Sequence, residues 1–199
     1  DTIELIENSC QKDFKGYKGC YKDFLKHEPY NLSVKEIIER SSNVGTIIAT
    51  KDLNINDLEE FLSKFGFSKR TGIELSGESK GSFDPNKTCT TCLSSLSIGY
   101  SINVTQMQMV KAYSIIANGG KNVDLTLIKS PYSNYSPKQV IDSNSSDRLK
   151  NLLINVVEGE NGTGRSIFME NYTIGGKTGT SRSHIELSLI HISEPTRHC

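Results

Sequence analysis

The sequence predicts an α+β fold, on three observations. Four segments carry helical periodicity with recognisable start or stop signals, strand-prone segments are few and short, and no strand–helix–strand rhythm marks a doubly wound sheet. The first helix begins at Ser33-Val34-Lys35-Glu36, a capping box ahead of Ile37 and Ile38. The second begins near Asn56, sets Leu58, Phe61, Leu62 and Phe65 on one face, and stops at Gly66. The third opens at Thr105 with Gln108 three residues on, and runs through Met109, Val110, Tyr113 and Ile116 to Asn118-Gly119-Gly120. The fourth starts around Ser146 and stacks Leu149, Leu152, Leu153, Val156 and Val157. Ser68 to about Cys92 is rich in Gly, Ser and Pro, and its length suits an ordered functional loop. Tyr172-Thr173-Ile174 is β-prone and leads into Gly175-Gly176-Lys177-Thr178-Gly179-Thr180.

The 199 residues hold 23 Lys and Arg against 23 Asp and Glu, a balance that argues against a nucleic-acid module. No apolar run reaches the roughly 20 residues of a membrane helix, and the composition reads as a soluble globular domain. From Leu187 the chain reads Leu-Ser-Leu-Ile-His-Ile-Ser-Glu-Pro-Thr-Arg, which resembles the translation of a transposase sequencing adapter. Residues 187–199 are therefore expected to be a non-native tail, and residues 1–186 the domain proper.

Four constellations could carry chemistry. In Lys177-Thr178-Gly179-Thr180, a continued strand would place both threonine hydroxyls on one face, suited with the Lys177 charge to a carboxylate. Gly179, lacking a Cβ, would let a substrate backbone approach; a plain glycine turn is the competing reading. In Ser41-Ser42-Asn43, a hydroxyl near a lysine could relay protons and an amide could hold a substrate, but a helix cap explains the same residues. Gly159 to Ser166 approaches the phosphate-loop pattern, with Arg165 where that loop has Lys and a helix rather than a strand before it, which argues against a nucleotide. Cys89-Thr90-Thr91-Cys92, with Cys10 and Cys20, reads as loop thiols or one local disulfide rather than a zinc site, and no metal is expected.

In order, these stretches resemble the transpeptidase domain of class B penicillin-binding proteins, of the division or spore-cortex type. "ERSSNVGTIIA" is similar to the segment around that family's S-x-N, and "FGFSKRTGIELSGESKG" to its F-G-F-G-x-x-T-G-I-x-L-P-G-E-x-x-G loop. "SIGYSINVTQMQMVKAYSIIANGG" and "NGTGRSIFMENYTIGGKTGTS" resemble the runs through a later helix and into K-[ST]-G. The resemblance covers about residues 10–183. It implies the penicillin-binding protein and serine β-lactamase-like transpeptidase fold, here an incomplete antiparallel sheet with helices. Ser41 would then shuttle a proton to the leaving amine, Asn43 would contact the substrate amide, and Lys177 would hold Ser41. Thr178 and Thr180 would bind the terminal carboxylate, and the Thr180 N–H would be an oxyanion donor.

The resemblance further implies a D,D-transpeptidase of cell-wall synthesis, active during growth or division of the cell. It would cross-link peptidoglycan stem peptides ending in D-Ala-D-Ala through an acyl-serine, would be acylated by β-lactam antibiotics, and would need no cofactor. A membrane anchor, a place on the extracytoplasmic face of a bacterial membrane and cell-wall synthesis complex partners come with the same family; nucleic acid does not. A β-lactam sensor or resistance acylase of the same fold is the nearest alternative, and a phosphate-loop protein the more distant one. The nucleophile-bearing S-x-x-K is expected ahead of Asp1, because Ser9-Cys10-Gln11-Lys12 lies too close to Ser41 and in polar surroundings; the chain alone is then expected to be inactive. Ser76 stands where the family loop has Pro, and Gln106 where a helix start has Pro.

Overall fold

The structure is a computed structural model, and it describes residues 3–6, 11–12, 20–24, 27–83, 92–129, 136–179, 181–182 and 191–192. The chain divides into two compact units, one built from residues 1–51 and 151–199, the other from 52–150.

In the first unit β1 (Ile3–Ile6) pairs antiparallel with β4 (Tyr30–Ser33), in a register running from Ile3 opposite Ser33 to Ile6 opposite Tyr30. Two-residue strands β2 (Gln11–Lys12) and β3 (Cys20–Tyr21) pair likewise. Helix α1 (Val34–Glu39) starts where the capping box predicts: the Ser33 Oγ accepts the Glu36 N–H at 3.3 Å, and the Glu36 carboxylate accepts the Ser33 N–H at 2.9 Å. These bonds, from the Ser33 backbone first, hold the Glu36 carboxyl below the usual range. Helix α2 (Asn43–Thr50) follows almost at once. Leu32, Ile37 and Val44 form a buried cluster with Tyr30 and Ile48 against it, which ties β4, α1 and α2 together.

Sequence periodicity treated Val44–Ala49 only as an apolar stretch, since five of the eight α2 residues are β-branched and poor helix formers. Burial of Val44 and Ile47, each 1% exposed, outweighs that preference. The Thr46 and Thr50 hydroxyls donate back to the carbonyls of Ser42 and Thr46.

The second unit contains α3 (Ile55–Lys64), α4 (Cys92–Ser97) and α5 (Gln106–Ala117). Phe65, Ala112 and Ile115 form its cluster, with Phe67, Ile116, Val140 and Ile141 packed on it. The expected capping box at Thr105 and Gln108 is present. Gln108 is fully buried, and its amide nitrogen also donates to the carbonyls of Lys69 and Lys80 at 2.8 Å. One glutamine thereby starts a helix and pins both ends of a glycine-rich loop.

Helix α6 (Ser143–Glu158) begins three residues before the expected Ser146. Asp142 Oδ1 accepts the Ser145 N–H, and Ser146 is instead a buried residue whose hydroxyl donates to the Ile116 carbonyl at 2.6 Å. The strand expected at Tyr172–Ile174 and continued through Lys177 is not formed among the described residues. Tyr172 makes an isolated bridge with Met169, and the Gly176 N–H bonds the Leu153 carbonyl of α6 rather than a neighbouring strand. A strand exists only through its ladder partners, and here a helix supplies the bond. Further on, β5 (Ser181–Arg182) pairs with β6 (His191–Ile192), two residues of the segment expected to stand apart from the domain. Cys10 and Cys89 lie outside the described residues, as do the side chains of Cys20 and Cys92. No described helix is long and apolar enough to cross a membrane.

Candidate active site

Ser41 sits in the corner between α1 and α2, which is built entirely from helix-end chemistry. The Ser42 N–H reaches back to the Ile37 carbonyl (2.9 Å) and the Ser41 N–H to the Ile38 carbonyl (3.2 Å), the paired bonds of a Schellman ending. That ending requires a left-handed residue, and Ser41 supplies it with φ +56°. Glycine usually fills the place; a serine there costs on the order of 1 kcal/mol. Ser42 then caps α2, its Oγ accepting the Gly45 N–H at 2.9 Å.

Asp23 braces the corner from outside. Its carboxylate accepts the Ser42 hydroxyl (2.8 Å) and the Val44 N–H (3.0 Å), and the ring Nε2 of His27 lies 3.0 Å away. Asn43 turns its amide to the Lys22 carbonyl at 3.2 Å.

Lys177 reaches this corner across 136 residues of sequence. Its Nζ donates to the Ser41 Oγ and to the Thr178 carbonyl (3.0 Å). Burial drives the Lys177 ammonium down to about 8, close to neutrality, where a group can both donate and take up a proton. No hydrogen bond joins Lys177 to Asn43 among the described residues. Thr178 is exposed, with its Oγ1 2.9 Å from the Thr163 Oγ1. Gly179 is exposed and described; Thr180 lies outside the described residues.

A third strut comes from the Gly159–Gly164 turn. Glu39, only 6% exposed, accepts the Asn161 N–H with its carboxylate (3.1 Å). Its carbonyl accepts the Thr163 N–H (3.2 Å) and hydroxyl (3.3 Å). Gly159 must lack a side chain here, since a Cβ would overlap the Glu39 carboxylate and the Asn155 carbonyl. The segment that imitates a phosphate loop is therefore closed onto α1 by its own backbone.

Ser41 and Lys177 thus come together as the sequence suggested, with Thr178 beside them and Asn43 in the same corner. Asp23, Glu39 and Thr163 went unnoticed as supports. Asp23 and Glu39 act on partners 19 to 124 residues away, and no local pattern announces such bonds.

The assembled groups are a cation, hydroxyls and open backbone, a set suited to holding an anionic peptide end and moving protons beside it. Residues 6–185 match the family described as penicillin binding protein transpeptidase domain. Stage V sporulation protein D of Bacillus subtilis (strain 168) is 33% identical over 159 residues, 74% of this chain and 24% of that protein. Penicillin-binding protein PbpB of Mycolicibacterium smegmatis is 30% identical over 81% of this chain and 27% of its own length. The chain thus spans about a quarter of the length of the curated relatives it matches. Among solved structures, penicillin binding protein 3 from Mycobacterium tuberculosis complexed with aztreonam superposes with a TM-score of 0.82 at 26% identity, over 96% of this chain and 45% of that one. Its ampicillin complex gives 0.80 at 27% identity, over 92% and 43%. The α+β fold is thus that of the transpeptidase structures, and this chain belongs to the penicillin-binding protein transpeptidase domain family.

Proposed function

We propose that this chain forms the substrate-holding half of a serine-type peptidoglycan D,D-transpeptidase. The observation that carries the reading is the bond from Lys177 Nζ to Ser41 Oγ, which couples a hydroxyl to a lysine whose proton is loosely held. A serine of an S-x-x-K segment would attack the carbonyl between two D-Ala residues, breaking the C–N bond and releasing the terminal D-Ala as an amine. Ser41 delivers the proton that amine needs, with Lys177 setting the hydroxyl's position and potential. Asn43 holds the substrate amide, Thr178 and Thr180 hold the terminal carboxylate, and the open backbone at Gly179 lets the peptide lie close. A neighbouring peptide's amine then takes the acyl group.

Relatives named as peptidoglycan D,D-transpeptidases, among them one from Caulobacter vibrioides, favour cross-linking over β-lactam sensing. Structural neighbours holding ampicillin and aztreonam support β-lactams as ligands of the same site. An extracytoplasmic setting, membrane attachment and cell-wall complex partners are part of the same proposal, as is the non-native character of residues 187–199.

The test is a titration of the purified chain with N-acetyl-D-Ala-D-Ala, followed by NMR. Weak, reversible binding that perturbs residues 41–43 and 177–179, and is lost in Lys177→Met, is expected. No perturbation there at saturating dipeptide overturns the reading. Incubation with a fluorescent penicillin should leave no covalent band after denaturation. A band abolished by Ser9→Ala would place the nucleophile within this chain.

A further inference from the structure

The Thr178 and Thr163 hydroxyls carry one proton each, and their bonds fix where those protons lie. Thr163 Oγ1 donates to the Glu39 carbonyl at 3.3 Å and lies 2.9 Å from Thr178 Oγ1. A hydroxyl has one proton to give and two lone pairs to accept with. Both bonds form together only if Thr178 donates to Thr163 and Thr163 donates to Glu39. In the unliganded chain the Thr178 proton is therefore directed into the Gly159–Gly164 turn and away from any ligand.

A carboxylate accepts but cannot donate, so Thr178 can hold one only after its proton swings outward. The Glu39 carbonyl tolerates the change, because it also accepts the Thr163 N–H at 3.2 Å and is not orphaned when the Thr163 hydroxyl leaves it. Thr163 can then reverse and donate to Thr178 Oγ1. A hydroxyl that accepts a hydrogen bond becomes a better donor, so the reversal strengthens the bond from Thr178 to the ligand.

We propose that Thr163 is a positioning residue, acting through Thr178 as a two-hydroxyl relay that reverses when a carboxylate-bearing ligand binds. The proposal deepens the reading above and rests on it, since it takes Thr178 as a carboxylate contact. Burial of Glu39 and the tight fit of Gly159 against it hold Thr163 in place for this role.

The experiment compares the full chain with its Thr163→Val and Thr163→Ser variants, titrated with N-acetyl-D-Ala-D-Ala and with the same dipeptide ending in an amide. Valine keeps the shape of threonine and loses the hydroxyl at an exposed position, so folding is retained and a thermal melt checks it. Thr163→Val should weaken binding of the acid about threefold to fivefold, the size of one lost hydrogen bond, and leave the amide unchanged. Thr163→Ser should restore the preference for the acid. Equal losses for acid and amide would mean that Thr163 only shapes the turn, and would overturn the relay. So would an unchanged preference in Thr163→Val alongside a reduced one in Thr178→Val, an outcome that leaves the proposed function standing. A native chain that does not distinguish acid from amide would overturn the reading and the relay together.

Discussion

Helices α1 and α3 end in the same hydrogen-bond pattern with different residues at the turning point. After α3 the Phe67 N–H bonds the Leu62 carbonyl (3.2 Å) and Gly66 takes the left-handed position at φ +94°. After α1 the equivalent bonds run from Ser42 and Ser41, and the left-handed residue is a serine. At Gly66 the backbone has its least costly residue, and the neighbouring Phe65 and Phe67 pack into an apolar cluster. At Ser41 the backbone carries strain, and long-range polar bonds from Asp23 and Lys177 surround it. A helix stop made without glycine marks the place where a side chain is needed more than an unstrained turn.

The largest expected effect breaks the polar bracing. Asp23→Ala leaves the Ser42 hydroxyl and the Val44 N–H without their acceptor and should lower unfolding stability by about 2–3 kcal/mol in a urea titration. It should also weaken dipeptide binding, although Asp23 is not itself proposed to touch the ligand.

Gly66→Ala comes next. It puts a Cβ on a left-handed residue and within a tight 3.3 Å of Lys111 Cδ, which must shift, and should cost about 1–2 kcal/mol without changing binding. Ser41→Gly is its mirror. It relieves the strain but also removes the acceptor of the Lys177 bond, so it should be about 1 kcal/mol more stable than Ser41→Ala, which loses the same bond and keeps the strain, while dipeptide binding falls in both. Equal stability of Ser41→Gly and Ser41→Ala would mean that the left-handed turn at Ser41 carries no strain.

The last test is a pH slope, and it sharpens the contrast. The folded-state value of Lys177 is about 8, below the ordinary lysine value of 10.5. Between those two pH values the unfolded chain binds more protons, so stability rises with pH across that window and is flat below it. Carboxylate binding should run the other way, weakening as pH climbs through about 8 and the ammonium loses its charge. Lys177→Met should flatten the stability slope in parallel denaturant titrations.

What the sequence disclosed depended on how far apart the partners lie. The capping boxes at Ser33 and Thr105 involve residues three apart, and both are present. The pairing of Ser41 with Lys177 came from the order of motifs in a resembling family, since no periodicity spans 136 residues. Helix α2 was hidden because β-branched residues and back-to-back caps argue against it locally, while burial of Val44 and Ile47 argues for it only in three dimensions. The strand expected from Tyr172 onward failed for the converse reason: strand propensity was there, but Tyr172 turns back to bond the Met169 carbonyl and Gly176 bonds the Leu153 carbonyl of α6. Asp23 offered no signal, as a lone carboxylate in a polar stretch could face water.

The split of the first unit between residues 1–51 and 151–199 has a consequence for the order in which the molecule assembles. Residues 52–150 form a continuous unit whose contacts are complete before the rest of the chain leaves the ribosome. Ser41 emerges early and must wait for Lys177, behind an intervening segment that is itself folding. The corner around Ser41 is therefore the last part to mature, while its apolar side, Leu32, Ile37 and Val44, is present from the start. Nascent chains stalled with residue 150 just clear of the ribosome should protect the Phe65–Ile115 region from a protease and leave residues 30–50 cleavable. Protection of 30–50 at that length would show that the corner forms without its later half.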